Sequence, residues 1–520
     1  MYSNVCTGAL QGIYAYLVQT EVDAAGGLPG LEMVGCPAGE VREARERVKV
    51  ALKNAGVDLP PLKITVNLSP ADVRKDGTGF DLPIAVGILC ALERLPQRVT
   101  ENTLFLGELG LDGEIRPVKG VLPIVREAAA RGIKRCIVPA ANAKEGGVVQ
   151  GIEVIGAENL PLLLEYLQAN KERQKELIPP TIVSPEELLG DANISKEYDF
   201  ANIVGQEFVK RGAQVAAAGF HNMLIVGPPG TGKTMVGKSI AGILPPMTLK
   251  ESLEVSGIYS VRGMLDENQT LITERPVIQP HHTVSAQALA GGGRIPKPGL
   301  VSLAHRGVLF LDEFPEFPRT ILDILRQPLE EKQVVVSRAY GSYRFPADFM
   351  LVAAMNPCPC GHYPDLNKCT CTESEVHRYL GHVSGPILDR IDICVEAPEV
   401  NIHALSSSGR GISSEEMRER VKLARSLQER RFQGTAYHFN SQILAGDMQK
   451  YCAIGLQEEQ MLEKLLSRGG FSVRAYHRIL KVARTVADLD GSEKIEQKHL
   501  SEAVCYRLAD EKYWKRGKGA

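Results

Sequence analysis

The stretch "NMLIVGPPGTGKTMVGKSIAGIL", residues 222–244, joins a short apolar run to a glycine-rich loop and then to a helical pattern. The loop has the spacing of a P-loop, in which glycines let backbone N–H groups converge on phosphate oxygens at a helix N-terminus. Its eight residues are Gly227, Pro228, Pro229, Gly230, Thr231, Gly232, Lys233 and Thr234. We therefore predict a nucleotide-binding loop in which Lys233 reaches the β- and γ-phosphates and Thr234 ligates Mg²⁺.

A second apolar run, in "GVLFLDEFPEF", ends in two carboxylates, Asp312 and Glu313. Parallel sheets bind ligands at the carboxyl ends of their strands, so both acids are placed for the nucleotide. We expect Asp312 to complete the Mg²⁺ shell and Glu313 to orient and polarise the attacking water. Two acids after an apolar run are also a common chance pairing, and it is their distance after the P-loop that favours the functional interpretation.

A third apolar run, "DFMLVAAMNP", ends in Asn356, whose neutral amide could hold the water or the γ-phosphate. Two later arginines, Arg390 in "GPILDRIDI" and Arg474 in "FSVRAYHRIL", are further candidates. A planar guanidinium suits developing phosphate charge because it donates paired hydrogen bonds. Taken singly, each arginine is more simply explained as half of a surface ion pair.

The bulk composition is that of a soluble, multidomain chain, with 520 residues, 44% hydrophobic and 23% charged. The sequence shows no apolar run of membrane-spanning length and no secretory signal pattern, so we expect a cytoplasmic protein without a membrane partner. The formal net charge of −2 provides no global field for nucleic acid. Any DNA binding must therefore come from local basic patches.

Sequence patterns divide the chain into an α/β protein of three domains. Residues 1–168 alternate short β-rich runs with helical patterns, and 169–199 have the charged, proline-broken composition of a linker. Residues 200–400 predict a P-loop parallel sheet covered by helices, and 401–510 show helical spacing only. The basic tail, 511–520, is most simply a solvated end.

The stretch "NPCPCGHYPDLNKCTC", residues 356–371, contains Cys358, Cys360, Cys369 and Cys371. Four thiolates complete a tetrahedral Zn²⁺ shell, which is the favoured interpretation, and His362 and His377 are unnecessary as ligands. An iron–sulfur cluster and unliganded thiols remain alternatives. A cytosolic disulfide pair is disfavoured by the redox environment, and the other seven cysteines of the eleven are expected to be inert core residues.

These motifs together resemble the YifB/ComM family of magnesium-chelatase-like AAA+ ATPases. The resemblance covers essentially the whole chain. It is carried by "GLPGLEMVGCPAGEVREARERV", "NLSPADVRKDGTGFDLPIA", "IVGQ", "GPPGTGKT", "LFLDEF", "AMNPCPCG", "GPILDRIDI" and "VRAYHRILKVARTVADL". It implies a Lon-protease-like first domain, an AAA+ core and a helical lid domain.

The resemblance also implies residue roles that spacing alone does not. Asn356 matches sensor 1, Arg390 the arginine finger that reaches a neighbouring subunit, and Arg474 sensor 2. Gly205 and Gln206 fall in the segment that flanks the adenine. Such ATPases bind ATP with Mg²⁺ between the protomers of a homo-oligomer, typically a hexameric ring.

Insertions in the core of this clade project into the channel of the ring, and two segments match them. One is "SGIYSVRGML…HHTVSAQALAGGGRIPKPG", and the other, "EEKQVVVSRAYGSYRF", predicts a β-hairpin. The hairpin places cations beside aromatic residues, a combination that suits single-stranded DNA. These residues are Lys332, Arg338, Arg344, Tyr340 and Tyr343. A solvated hairpin is an equally good interpretation of the sequence.

The first domain lacks the serine–lysine pair of a Lon peptidase. The alignment places Gly79 at the serine position and Leu122 at the lysine position, so we expect an inactive module. The function implied by the resemblance is an ATP-driven DNA helicase or branch-migration factor in recombination or natural transformation. The alternatives are a chelatase motor subunit that drives Mg²⁺ insertion into a porphyrin through a partner and, less favoured, a Lon-like peptidase.

Overall fold

The P-loop strand, Met223–Val226, lies inside a five-stranded parallel sheet. The strands in spatial order are Val277–Ile278, Val308–Leu311, Met350–Met355, Met223–Val226 and Ile393–Glu396. We call Val308–Leu311 the acidic strand and Met350–Met355 the sensor strand. Every residue of these two strands and of the P-loop strand is buried, because helices cover both faces. The predicted α/β fold with a parallel-sheet core is therefore confirmed.

The computed structural model of the chain describes residues 1–190, 198–266, 268–338, 341–399, 411–469 and 473–515. The predicted aromatic Tyr340 and the end of the basic tail, 516–520, lie outside these residues, as do 191–197 of the linker and 401–410 at the start of the helical domain.

Helices flank the core sheet and connect its strands. They span Glu207–Gly219, Lys233–Ile243, Leu249–Arg262, Ala286–Ala290, Leu300–Leu303, Arg319–Ile324, Arg326–Glu331, Glu373–Leu380 and Gly385–Leu388. The helix after the P-loop, Lys233–Ile243, lies so close to the acidic strand that a Cβ at Gly237 would be 2.3 Å from Cε2 of Phe310. This close contact leaves no room for a side chain at position 237.

The predicted hairpin is present as Gln333–Arg338 paired antiparallel with Gly341–Pro346. A second short pair, Gly291–Gly292 with Lys297–Pro298, belongs to the other predicted insertion. The two insertions touch, because Nε of Arg338 donates to the carbonyl of Gly293 at 3.3 Å.

The first domain is built on a seven-stranded mixed sheet. Its strands in spatial order are Gly30–Val34, Lys63–Ser69, Tyr14–Ala25, Tyr2–Gln11, Thr103–Phe105, Arg135–Pro139 and Glu153–Ala157. Its main helices are Gly39–Asn54, Asp81–Ala91, Val121–Ala130 and Leu160–Gln168. All eleven residues of Asp81–Ala91 are buried. The one carboxylate of this helix is satisfied by Arg47 and by the backbone N–H of Leu109.

The segment predicted as a linker contains two short helices, Lys171–Leu177 and Pro185–Gly190. Asn170 caps the first of them, since its side chain accepts from the N–H of Arg173 at 2.9 Å. Between the helices, the N–H of Thr181 donates to the carbonyl of Val154 at the edge of the first sheet. This part of the segment therefore packs on the first domain.

The first domain docks on the ATPase core through the helix Leu249–Arg262. The N–H of Gly120 donates to the carbonyl of Ser260 at 3.1 Å, and the hydroxyl of Ser260 donates to Oε1 of Glu145 at 2.5 Å. Burial raises the pKa of Glu145, and four hydrogen bonds, the first from Ser260, oppose that rise.

The C-terminal part is helical, as its spacing predicted. The helices span Ser414–Arg431, Met448–Tyr451, Leu456–Gly469, Val473–Leu489, Gln497–Cys505 and Leu508–Asp510. A polar cluster around Asp488 joins the helices Ser414–Arg431 and Val473–Leu489, through Arg431 and Arg484, to Asn440 in the connection between them. No helix within the described ranges is long and apolar enough to cross a membrane.

The Gly237 contact yields a prediction about stability. Gly237→Ala should lower the free energy of unfolding by about 1–3 kcal/mol, because the new methyl group meets the ring of Phe310. Gly242→Ala, in the same helix, is the matched control, since the nearest atom to its Cβ is the carbonyl of Tyr198 at 3.9 Å. It should stabilise the protein by about 0.5–1 kcal/mol. Urea denaturation measures both, and equal effects of the two variants would contradict the close packing.

Candidate nucleotide site and cysteine cluster

Lys233 lies between the P-loop and the end of the sensor strand. Its Nζ donates to the carbonyls of Gly227 at 2.7 Å and Pro228 at 2.6 Å, and to Oδ1 of Asn356 at 3.1 Å. Burial lowers the pKa of Lys233 to about 8, and the charge of Asp312 opposes this shift. One edge of the sheet therefore brings together a residue from each of three predicted motifs: Lys233, Asp312 and Asn356.

The two predicted Mg²⁺ ligands are in direct contact. The hydroxyl of Thr234 donates to Oδ2 of Asp312 at 2.6 Å, and Oδ1 of Asp312 accepts from the N–H of Glu313 at 2.9 Å. A hydroxyl and a carboxylate are oxygen donors of the kind that Mg²⁺ prefers, and an exposed edge leaves room for water and phosphate oxygens. The donor set therefore fits Mg²⁺.

Glu313 adopts a left-handed conformation, with φ of 52°, and turns its side chain outward. The carboxylate is 64% exposed and its Oε2 lies 3.5 Å from Nδ1 of His282. His282 belongs to the first predicted insertion, and its proximity to Glu313 was not predicted. The dipeptide His281–His282 is the signal in the sequence that could have drawn attention to it.

Gln206 connects the segment before the P-loop to the loop itself. Its Nε2 donates to the carbonyls of Thr231 at 3.3 Å and Pro398 at 2.8 Å. Both Gly205 and Gln206 have positive φ, 64° and 59°, and this tight turn brings the Gln206 amide against the loop. This position is consistent with the expectation that Gly205 and Gln206 flank the adenine.

A cleft of about 520 Å³ opens beside the P-loop. It is lined by Asn202, Ile203, Val204, Pro228, Pro229, Gly230, Thr231, Gly232, Met235, His362 and Glu399. A lining that combines apolar side chains with a glycine-rich backbone suits a nucleoside joined to phosphates.

Arg390 and Arg474 lie at the opposite edge of the sheet from the P-loop. The carbonyl of Arg390 accepts from Nδ2 of Asn222 at 2.7 Å, just before the P-loop strand begins. The four residues of that strand separate this edge from the P-loop by about 13 Å. Arg474 is 73% exposed and lies 3.9 Å from Asp389, next to Arg390. Neither arginine is placed at the P-loop of its own protomer.

The guanidinium of Arg390 forms an ion pair with Glu330 of the helix Arg326–Glu331. The side chain of Arg390 is 15% exposed, and that of Glu330 is 59% exposed. The carboxylate partner thus lies at the surface, where the pair can be exchanged for another anion.

The four cysteines of the predicted metal loop converge, with their sulfur atoms within 4.8 Å of one another. Sγ of Cys358 lies 3.4 Å from that of Cys360 and 3.8 Å from that of Cys369. A tetrahedral shell with metal–sulfur bonds of about 2.3 Å requires sulfur atoms about 3.8 Å apart. All four are free thiols, so the arrangement fits one tetrahedral metal ion and is not a disulfide pair.

The first domain has neither space nor chemistry for a peptidase pair at the aligned positions. A Cβ at Gly79 would lie 2.7 Å from Cδ1 of Leu106. Leu122 is buried, and its N–H donates to Oε1 of Glu145 at 3.0 Å. The face that corresponds to the Lon dyad is therefore close-packed and, through Glu145, docks on the ATPase core.

Three family models match the chain. "Subunit ChlI of Mg-chelatase" matches residues 20–142, "Magnesium chelatase, subunit ChlI" matches 199–405, and "Magnesium chelatase, subunit ChlI C-terminal" matches 411–507.

Relatives match over almost the whole length. Competence protein ComM of Haemophilus influenzae is 42% identical over 505 residues, 97% of either chain. The protein YifB of Escherichia coli is 41% identical over 511 residues, 98% of this chain and 97% of that protein. An archaeal Lon protease of Pyrococcus abyssi is 30% identical over 177 residues, 33% of this chain and 18% of its own length.

The cysteine cluster yields a prediction about metal content. The purified protein should hold about one metal ion per chain, and Cys369→Ser should lose it because a serine hydroxyl is a poor substitute for a thiolate. Cys505→Ser is the matched control, since Cys505 is exposed and remote from the cluster. Elemental analysis after gel filtration measures both. Equal metal content in the two variants would show that the cluster is not the site.

Proposed function

Because the chain belongs to the YifB/ComM family of magnesium-chelatase-like AAA+ proteins, we propose that it is an ATP-hydrolysing ring motor that acts on DNA. The single observation that carries the proposal is the separation of the catalytic groups. Lys233, Asp312 and Asn356 meet at one edge of the core sheet, whereas Arg390 lies at the other. A complete site then requires two protomers.

Hydrolysis needs positioned groups rather than covalent chemistry. Lys233 contacts the β- and γ-phosphates, and Thr234 with Asp312 holds Mg²⁺, which neutralises the charge that develops on the phosphate oxygens. Glu313 orients the attacking water and Asn356 contacts the γ-phosphate. The contacts of Lys233 with the P-loop carbonyls and with Asn356 support these roles, since the ammonium already lies between the two elements.

In the proposed ring, the surface around Arg390 and Arg474 contacts the neighbouring protomer. Arg390 supplies its guanidinium to the nucleotide of the neighbouring protomer, and Arg474, beside it, faces the same interface. An arginine supplied in trans raises phosphoryl transfer by about 10³–10⁵-fold, so turnover depends on assembly. The hexamer is the ring size that the family resemblance favours.

DNA is the proposed polymer in the channel. Arg338 and Arg344 are exposed on the predicted hairpin, and the other insertion exposes Arg294 and Lys297 beside it. A cleft of about 860 Å³ separates this insertion from the first domain. Clustered cations of this kind bind phosphates without sequence preference.

Two residues of the hairpin, Tyr343 and Lys332, are less available to DNA than the sequence suggested. Tyr343 is half-buried, and its ring lies 3.5 Å from the position of a Cβ at Gly12 in the first domain, so it is not a free stacking surface. Lys332 is committed to an ion pair with Asp348 at 3.4 Å. The electrostatic part of the hairpin therefore supports DNA binding more strongly than the aromatic part.

The metal of the cysteine cluster is proposed to be structural Zn²⁺, because four thiolates complete its shell and leave no open position for chemistry. In the cytoplasm, where we place the protein, such thiols stay reduced. The family resemblance favours branched or single-stranded DNA, handled during transformation or recombination, as the substrate, and one relative is named as a competence protein. A chelatase motor subunit shares the ATPase core, but it would not explain the exposed cations of the hairpin.

The division of the site between protomers is tested by mixing two inactive variants. Glu313→Gln subunits keep the finger but cannot hydrolyse ATP, whereas Arg390→Ala subunits keep the site but lack the finger. Each variant alone should lose most ATPase activity. In an equal mixture, half of the sites contain Glu313 and half of those adjoin a subunit with Arg390, so about a quarter of the activity should return. Arg319→Ala removes an exposed guanidinium that donates to the carbonyl of Gly381; this variant is the control and should remain active. A mixture no more active than its parts would contradict action in trans.

The DNA-binding surface is tested by the salt dependence of binding to single-stranded and forked DNA. Replacing Arg338 and Arg344 with alanine should weaken binding and reduce the slope of log K against log salt by about 0.7–0.9 for each lost phosphate contact. Arg420→Ala, an exposed arginine of the lid domain, is the control. ATP-dependent strand separation of the fork is measured in parallel. ATPase activity that DNA does not stimulate, together with no strand separation by the unmutated protein, would refute the DNA motor.

A further inference from the structure

The metal-binding loop forms one wall of the nucleotide cleft. Gly361 has φ of 87°, and a Cβ on it would lie 2.5 Å from Cδ of Pro229, so the loop backbone rests directly on the P-loop. The next residue, His362, lines the cleft of about 520 Å³ together with the segment Asn202–Val204. The cysteine loop and the nucleotide site are therefore neighbours that share a surface.

The thiols hold the backbone of this wall in place. The N–H groups of Gly361 and Tyr363 donate to Sγ of Cys358 at 3.2 and 3.4 Å, and the N–H of His362 points to the thiol of Cys360. Hydrogen bonds to a thiolate strengthen with its negative charge, and a bound metal keeps these thiols deprotonated. The conformation of residues 361–363 thus depends on the occupied cluster.

The His362 ring is placed for a ligand rather than for the metal. Four sulfur atoms already complete the cluster, and Nδ1 of His362 is buried with no hydrogen-bond partner in the described part of the chain. The nearest carboxylate, Glu399, is 3.9 Å from Nδ1 and is held by Lys368 at 2.9 Å. Although Nδ1 is buried, 37% of the His362 side chain is exposed, and an imidazole fixed in this way can stack on a base.

We infer that His362 contacts the nucleoside part of the bound nucleotide, and that the metal in the cysteine cluster and the nucleotide therefore bind cooperatively. The inference rests on the proposed nucleotide site, because His362 has this role only if ATP occupies the cleft. Phosphates would lie at the glycine N–H groups, so His362, which lines the cleft together with Asn202–Val204, would contact the nucleoside. Because the coupling is thermodynamic, each ligand must raise the affinity of the protein for the other, and we expect the higher metal affinity to appear as slower metal release.

The first test measures nucleotide affinity without DNA. His362→Ala should weaken the binding of a fluorescent ATP analogue by about tenfold, whereas competition by inorganic triphosphate, which has no nucleoside, should be unchanged. His377→Ala is the matched control, since His377 is exposed on the helix after the loop and pairs only with Glu373. Equal affinities of His362→Ala and the unmutated protein for the ATP analogue would overturn the contact.

The second test measures metal release to a chromogenic chelator. Saturating ATP should slow release at least fivefold from Glu313→Gln protein, which cannot hydrolyse it, and should have no effect once His362→Ala is added. His362→Ala alone should retain its metal, because the four thiols are intact. A release rate independent of ATP, or a protein that binds ATP but contains no metal, would overturn the coupling. Neither assay contains DNA, so a negative result in either assay can be distinguished from failure of the proposed DNA motor.

Discussion

The parallel alignment of the five core strands is the constraint on which the rest of the structure depends. Because the strands run in one direction, the residues that immediately follow each strand lie at one edge of the sheet, and the residues that immediately precede each strand lie at the other. The P-loop, the Asp312–Glu313 pair and Asn356 therefore converge although they are far apart in the chain. The same constraint places Arg390, which precedes the edge strand Ile393–Glu396, out of reach of its own P-loop. In the proposed motor, strand direction is thus the reason that a complete site needs a second protomer.

The cysteine loop and the first domain both make close contacts with the ATPase core. The cysteine loop rests on the P-loop where Gly361 meets Pro229, and the first domain docks where Gly120 and Glu145 meet Ser260. In the first domain, the position of the missing lysine, Leu122, has its N–H bound to the same Glu145. A face that performs chemistry in a peptidase has here become part of an interface between domains.

Much of the site was predictable because its chemistry is local. The P-loop, the acidic pair and the four cysteines are short motifs whose residue types and spacing define a ligand, and the hairpin was predicted from an alternating run. His282 and His362 were not assigned to the site, since each reaches it from an insertion whose path no periodicity describes. The burial of Tyr343 was likewise not predictable, because it depends on Gly12, more than 300 residues away in the chain.

The sequence by itself determined the fold class, the family and the phosphate-binding loop, because hydrophobic pattern and glycine spacing act over a few residues. Only the tertiary structure decided that Arg390 lies away from the P-loop and pairs with Glu330, that the four sulfur atoms lie within 4.8 Å of one another, and that His362 lines the cleft beside the P-loop. These are relations between segments separated by tens to hundreds of residues. They follow from how sheets and helices pack, and packing is set by the whole chain rather than by any one motif.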